Sequence, residues 1–133
     1  MRVKASFWRY QAPAILWAML IFGVSSIPDV SLPGMGFDLS DKLAHAAVYA
    51  VLGFLLARAF VHQHRLPLWR LHYHRATLWS GFLYGISDEL HQAFVPGRTP
   101  DITDVLADLV GVWIGWLIFS SRHRKHSTSG TDR

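Results

Sequence analysis

Tyr84-Gly-Ile-Ser-Asp-Glu-Leu-His-Gln-Ala-Phe-Val-Pro-Gly-Arg98 is the stretch whose reading decides the fold. It closes an apolar segment long enough to cross a bilayer, yet it carries Asp88, Glu89, His91 and Gln92 almost back to back. An ionisable residue at membrane depth costs roughly 2.5–3.5 kcal/mol on insertion scales, and less near the interface. Partners, water or a function must offset that cost.

Working outward, this segment runs from about Ala76 to Val95 and stops at Pro96-Gly97. Three more apolar runs share its character: Ala12 to Ile27, Leu43 to Val61 and Ile102 to Phe119. Each is close to the ~20 residues that a spanning helix needs. None shows the alternation of a barrel strand, and lipid leaves no unpaired backbone, so each is read as a helix. The expected fold is all-α, a four-helix transmembrane bundle in a single domain covering residues 1–133.

Between these runs, Asp29 to Ser40 reads as a loop with a turn at Pro33-Gly34, and Ser40 or Asp41 is placed to N-cap the second helix. His62 to Arg75 is a basic, aromatic loop with Trp69 and Tyr73 at headgroup level. Its His62-x-His64 and His72-x-His74 pairs can also be read as metal chelators, but the interfacial reading accounts for more of the segment. Residues 120–133 form a basic tail that is expected to be disordered. The first run has a basic start and small residues at Ser25-Ser26, as a signal peptide does. The later segments need a membrane in any case, which favours an uncleaved first helix ended by Pro28.

Composition agrees. Of 133 residues, 51% are hydrophobic and only 17% charged, too apolar for an ordinary soluble domain of this size. The mean hydropathy is only +0.22 because the polar ends and the basic loop dilute the apolar runs. Cysteine is absent, which excludes disulfides and thiolate metal sites. A net charge of +4 invites a nucleic-acid reading. However, the bases flank apolar runs, where they meet lipid headgroups, so no nucleic-acid partner is expected.

Charge distribution sets the orientation. Every Lys and Arg except Lys42 and Arg98 falls in the N-terminus, the second loop with its adjoining helix end, or the C-terminus. The positive-inside rule places those regions in the cytoplasm. Every acid except Asp132 lies toward the opposite, outer end. Asp41, His45 and Tyr49 share one face of the second helix at i, i+4 and i+8. Tyr84, Asp88, His91 and Gln92 form a stripe on the third, from which Glu89 points about 100° away. Asp104 and Asp108 form a third stripe, in line with Gly111 and Gly115. With Gly81 and Gly85, these glycines make small-xxx-small faces for close helix approach.

Polar residues inside a membrane often serve only to hold helices together, at about 0.6 kcal/mol per pair. Their concentration at one end of so small a bundle favours a site. Nothing near Ser87 makes it a nucleophile. His45 and His91 with Asp88 or Asp104 offer nitrogen and oxygen ligands suited to zinc. No fixed spacing such as HExxH accompanies them, so the pattern names neither a metal nor a cofactor.

Asp41-Lys-Leu-Ala-His45, Tyr49, Ser87-Asp-Glu-Leu-His-Gln92, Phe94-Val-Pro-Gly-Arg98 and Asp104-Val-Leu-Ala-Asp108, with Gly111 and Gly115, resemble the VanZ-like family over roughly residues 15 to 118. The resemblance implies a small multi-pass protein of the bacterial cytoplasmic membrane. The family's name-giving member is associated with reduced susceptibility to glycopeptide antibiotics, especially teicoplanin.

Three functions follow as expectations. In the first, an outward-facing pocket engages a lipid-linked or cell-wall-related ligand. Lys42 and Arg98 hold an anionic group, Asp88, His45 and His91 organise the pocket, and Asp41, Tyr49, Glu89, Gln92, Asp104 and Asp108 complete it. In the second, the chain is an intramembrane hydrolase or transferase, with His45 or His91 as base and Asp88 or Asp104 orienting the imidazole. In the third, the polar cluster docks another membrane protein.

Overall fold

A computed structural model describes residues 2–28 and 39–128. Among these residues there are only helices: α1 (Arg2–Tyr10), α2 (Ala12–Ser25), α3 (Leu39–Val61), α4 (Pro67–Leu71), α5 (Tyr73–Gln92) and α6 (Ile102–Thr128). The all-α expectation holds. α3 and the stretch Ile102–Lys125 of α6 are long and apolar enough to cross a membrane, while α2 is a shorter apolar helix.

The first apolar run forms α2, and the basic segment before it forms α1. α1 passes into α2 at Gln11, whose N–H still reaches Phe7 O at 2.9 Å. Pro13 sits in the first turn of α2, where its missing N–H costs little. Pro28 follows the end of the helix, as expected.

α3 starts at Leu39, so Ser40 and Asp41 lie inside its first turn and do not N-cap it. The turn expected at Pro33-Gly34 lies outside the described residues. The basic loop is less irregular than expected, because Pro67 opens the short helix α4. Trp69 is exposed, but Tyr73 turns inward, with its hydroxyl 3.4 Å from Ser120 Oγ.

α5 tightens after Gln92 into a turn. The Arg98 N–H donates to Val95 O at 3.1 Å across Pro96 and Gly97, and Gly97 has φ 77°. Pro followed by a positive-φ Gly is the pattern of a type II turn. Asp101 then caps α6, its Oδ1 accepting from the Thr103 N–H at 2.8 Å. α6 runs past the expected end at Phe119 through Ser120–Thr128. Arg122, Arg124 and Lys125 there suit the negative end of the helix dipole.

The bundle is built on α3 and α6, which pack most extensively, with α5 against both and α2 against α3. Gly111 and Gly115 explain the closeness. A Cβ on Gly111 would strike Ala46 O, and one on Gly115 would strike Ala50 O and the Phe54 N. Backbone thus meets backbone, as the small-xxx-small face requires. Gly53, opposite Val112, extends that contact and was not part of the sequence expectation.

The apolar core is small: Ile21, Tyr49, Leu52 and Val112. Large apolar side chains instead cover the outside, among them Leu16, Met19, Val51, Trp79, Leu83, Val110 and Trp113. That distribution suits a lipid environment better than water.

Candidate functional site

The N-terminal turns of α3 and α6 and the C-terminal turns of α5 and α2 meet at one end of the bundle. The acids among the described residues, Asp41, Asp88, Glu89, Asp101, Asp104 and Asp108, gather there. Asp88, on α5, is 4% exposed. Its Oδ2 accepts from the Ser25 hydroxyl of α2 at 3.0 Å, the Tyr49 hydroxyl of α3 at 3.4 Å and the Gln92 amide at 3.2 Å. Its Oδ1 is buried with no protein partner. Asp88 therefore joins three helices through one oxygen.

Beside it, His45 and Asp108 form a pair. His45 Nδ1 lies 2.9 Å from Asp108 Oδ1, and Asp108 is only 1% exposed. Its other oxygen, Oδ2, also lacks a partner. Gly85 makes room for it, since a Cβ there would stand 3.2 Å from Asp108 Oδ2. The sequence expectation had Asp88 or Asp104 orienting the imidazole; the structure gives that role at His45 to Asp108. Helix spacing alone cannot choose among acids on different helices.

A third group is ionic. Lys42 Nζ is 3.0 Å from Asp101 Oδ2 and also contacts Asp104 Oδ1. The Asp101 N–H donates to Glu89 Oε2 at 2.8 Å, and the Gln92 amide reaches Glu89 Oε1 at 3.4 Å. Glu89 is therefore buried in the bundle, not turned to lipid. The Thr103 N–H, followed by the Lys42 ammonium, holds the Asp101 carboxyl down at about 2. Lys42 is thus engaged by two carboxylates and does not line the cavity, contrary to its expected role as an anion holder.

That cavity lies between α2, α3 and α5 and has a volume of about 270 Å³. Trp17, Leu20, Ile21, Val24 and Val48 form an apolar wall. Ser25, His45, Tyr49, Asp88 and Gln92 give it a polar floor, with Asp41 and Arg98 also lining it. Arg98 donates from Nε to Ile27 O at 3.3 Å.

His91 stands apart. It stacks on Phe22 with ring centroids 4.3 Å apart, and its Nε2 lies 2.9 Å from Ser26 Oγ. The Ser26 hydroxyl has a single proton and donates it to Phe22 O at 2.7 Å. His91 Nε2 must therefore be the donor to Ser26. Its role is to tie α5 to the end of α2, not to organise the cavity.

The expected zinc set of His45 and His91 with Asp88 or Asp104 is thus not brought together. Asp41, His45 and Asp104 instead offer one donor atom each, all within 4.8 Å of one another. Lys42 competes for Asp104 there. In the basic loop, two imidazoles already have partners: His62 Nδ1 meets Arg58 O at 2.9 Å, and His74 Nδ1 accepts from Trp116 at 3.0 Å.

Sequence reasoning missed Ser25 as a partner of Asp88, and it counted Asp101 at this end without assigning it a role. Ser25 looks like a small helix-end residue, and only its distance to Asp88 reveals otherwise. Asp101 carries a visible signal, an acid just before the Ile102 helix.

The family model described as VanZ/LLP1 matches residues 5–123, a span that includes the cavity, the His45–Asp108 pair and the Lys42 cluster. Among curated proteins and among solved structures, none matches. The family match spans nearly all of the described residues, and among those residues two helices are apolar and long enough to cross a membrane; the chain belongs to the VanZ/LLP1 family and is a membrane protein of VanZ type.

Proposed function

We propose that this protein is a four-helix bundle of the bacterial cytoplasmic membrane whose outward-facing cavity binds a lipid-linked or cell-wall-related amphiphile. The four spans are α2, α3, α5 and α6, with both termini in the cytoplasm. The charge bias along the sequence supports that orientation. The observation that carries the reading is the cavity itself, which sets an apolar wall from α2 and α3 against a polar floor. An acyl or prenyl chain suits the wall. A phosphate suits Arg98, and head-group hydroxyls suit His45, Tyr49 and the acids.

Lipid extraction from the purified protein tests this reading. One amphiphile with a phosphate-bearing head is expected to be enriched over the bulk membrane, and the enrichment is expected to fall in Arg98→Gln. A lipid profile equal to that of the membrane overturns it.

The His45–Asp108 pair favours a second reading, an intramembrane hydrolase or transferase. A carboxylate holding Nδ1 leaves Nε2 as a base, and His45 lines the cavity. Mass spectrometry of envelope lipids and cell-wall precursors separates the two readings. An enzyme changes a species that His45→Gln at equal protein level does not; a binder leaves both profiles alike. A role in glycopeptide susceptibility rests on family membership, and teicoplanin sensitivity with and without the protein tests it.

A further inference from the structure

The opposite end of the bundle holds a second and larger recess, about 710 Å³, between α1 with the start of α2 and the segment that follows α3. Phe7, Trp8 and Ile15 line one side and His62, His64 and Arg65 the other. Its shape is held by ring contacts. Tyr10 stacks on His62 with centroids 3.8 Å apart and planes 3° from parallel, and the Arg58 guanidinium sits 5.2 Å from the Tyr10 ring centre. The Gln11 amide also donates to Ala59 O at 3.2 Å.

No Asp or Glu occurs from residue 2 to 28 or from residue 42 to 87. The acids of α3 begin at Asp41, about 30 Å along the helix from Val61 at ~1.5 Å per residue. That is several times the ~8 Å Debye length in physiological salt, so they cannot neutralise this recess. Among the described residues, His64 and Arg65 therefore face an anion with no acid lining the recess beside them. The apolar side is as specific. Trp8 is 70% exposed, and Ile15, Leu16 and Met19 carry the exposed apolar surface on along α2. A free anion has no use for that wall, whereas an acyl chain does.

We infer that this recess is a binding site for an anionic phospholipid, with its phosphate at His64 and Arg65 and its acyl chains along Trp8, Ile15 and α2. The site is separate from the cavity at Asp88 and does not depend on what that cavity binds.

The test uses the full chain in vesicles of phosphatidylcholine containing a minor fraction of dibrominated phosphatidylglycerol or, in a parallel set, dibrominated phosphatidylcholine. Bromine quenches indole on contact, and subtracting Trp8→Phe isolates the Trp8 signal. Trp8 is expected to be quenched more strongly by the anionic lipid, with about fivefold higher apparent affinity per cation engaged. The pair His64→Gln and Arg65→Gln, both exposed positions, is expected to abolish the preference. Arg122→Gln removes one exposed charge from the end of α6 and is expected to retain it. Equal quenching by the two lipids overturns the inference. So does a preference that survives the double change, or one that Arg122→Gln removes as completely. Loss of the preference in millimolar inorganic phosphate overturns the lipid assignment in favour of a free anion.

Discussion

His45 Nδ1 and Asp108 Oδ1 lie 2.9 Å apart across the α3–α6 contact, while Asp108 Oδ2 is buried with no partner. A buried donor that loses its acceptor costs about 1–3 kcal/mol. Asp108→Ala is therefore expected to destabilise the bundle by that amount, less whatever water enters the space. In a double-mutant cycle, His45→Gln and Asp108→Asn should be non-additive by at least about 0.5 kcal/mol. Thermal unfolding in mild detergent measures both, and additive changes would mean that the contact contributes nothing.

Asp88 is tested by two replacements of opposite chemistry. Asn keeps one oxygen for the Ser25, Tyr49 and Gln92 donors and places its amide where Oδ1 has no partner. Asp88→Asn is expected to accumulate in the membrane at near wild-type level. Leu strands all three donors, so Asp88→Leu is expected to lose several kcal/mol at about 1–3 kcal/mol per orphaned group. Membrane abundance and melting temperature read the difference.

The glycines separate packing from propensity. Gly23 has nothing within 4 Å of a Cβ, so Gly23→Ala is expected to gain about 0.5–1 kcal/mol from helix propensity. At Gly115 the same change drives a methyl into the α3 backbone at Ala50 and Phe54. Gly115→Ala is expected to lose stability by about 1–3 kcal/mol through overpacking. A gain at Gly115 in denaturation would show that α3 and α6 lie farther apart.

Asp101 makes a pH prediction. The Thr103 N–H and Lys42 depress its carboxyl to about 2, from an unfolded value of about 3.9. A depressed carboxyl contributes stability above its unfolded pKa and loses it as pH falls toward the folded one. Melting temperature should therefore fall as pH drops from about 4 to 2, and Asp101→Asn should flatten that part of the curve. The side chain is 45% exposed, so the effect will be small and salt-sensitive. Parallel curves for the two proteins would remove the Lys42–Asp101 contact from the account.

Much was legible in the residues one helix at a time. Apolar run length marked out the segments that became α2, α3, α5 and α6, and residues four apart marked the close face at Gly111 and Gly115. The placement of Asp88, His45 and Asp108 at one end followed from their distance to the segment ends. These are local properties, set by hydropathy and by the helical period. Tertiary structure alone decided which polar group meets which. Lys42 pairs with Asp101 and Asp104, so Arg98 is left to line the cavity; Asp108, not Asp88, holds His45; His91 turns to Ser26; and Glu89, about 100° from Asp88 on its own helix, finds the Asp101 N–H. A helical period gives the angle of a side chain only about its own axis. The rotation and depth of each helix against its neighbours come from where backbones touch, at Ala46 against Gly111 and Ala50 against Gly115. A shift of one turn, about 5.4 Å, would reassign every one of those pairs.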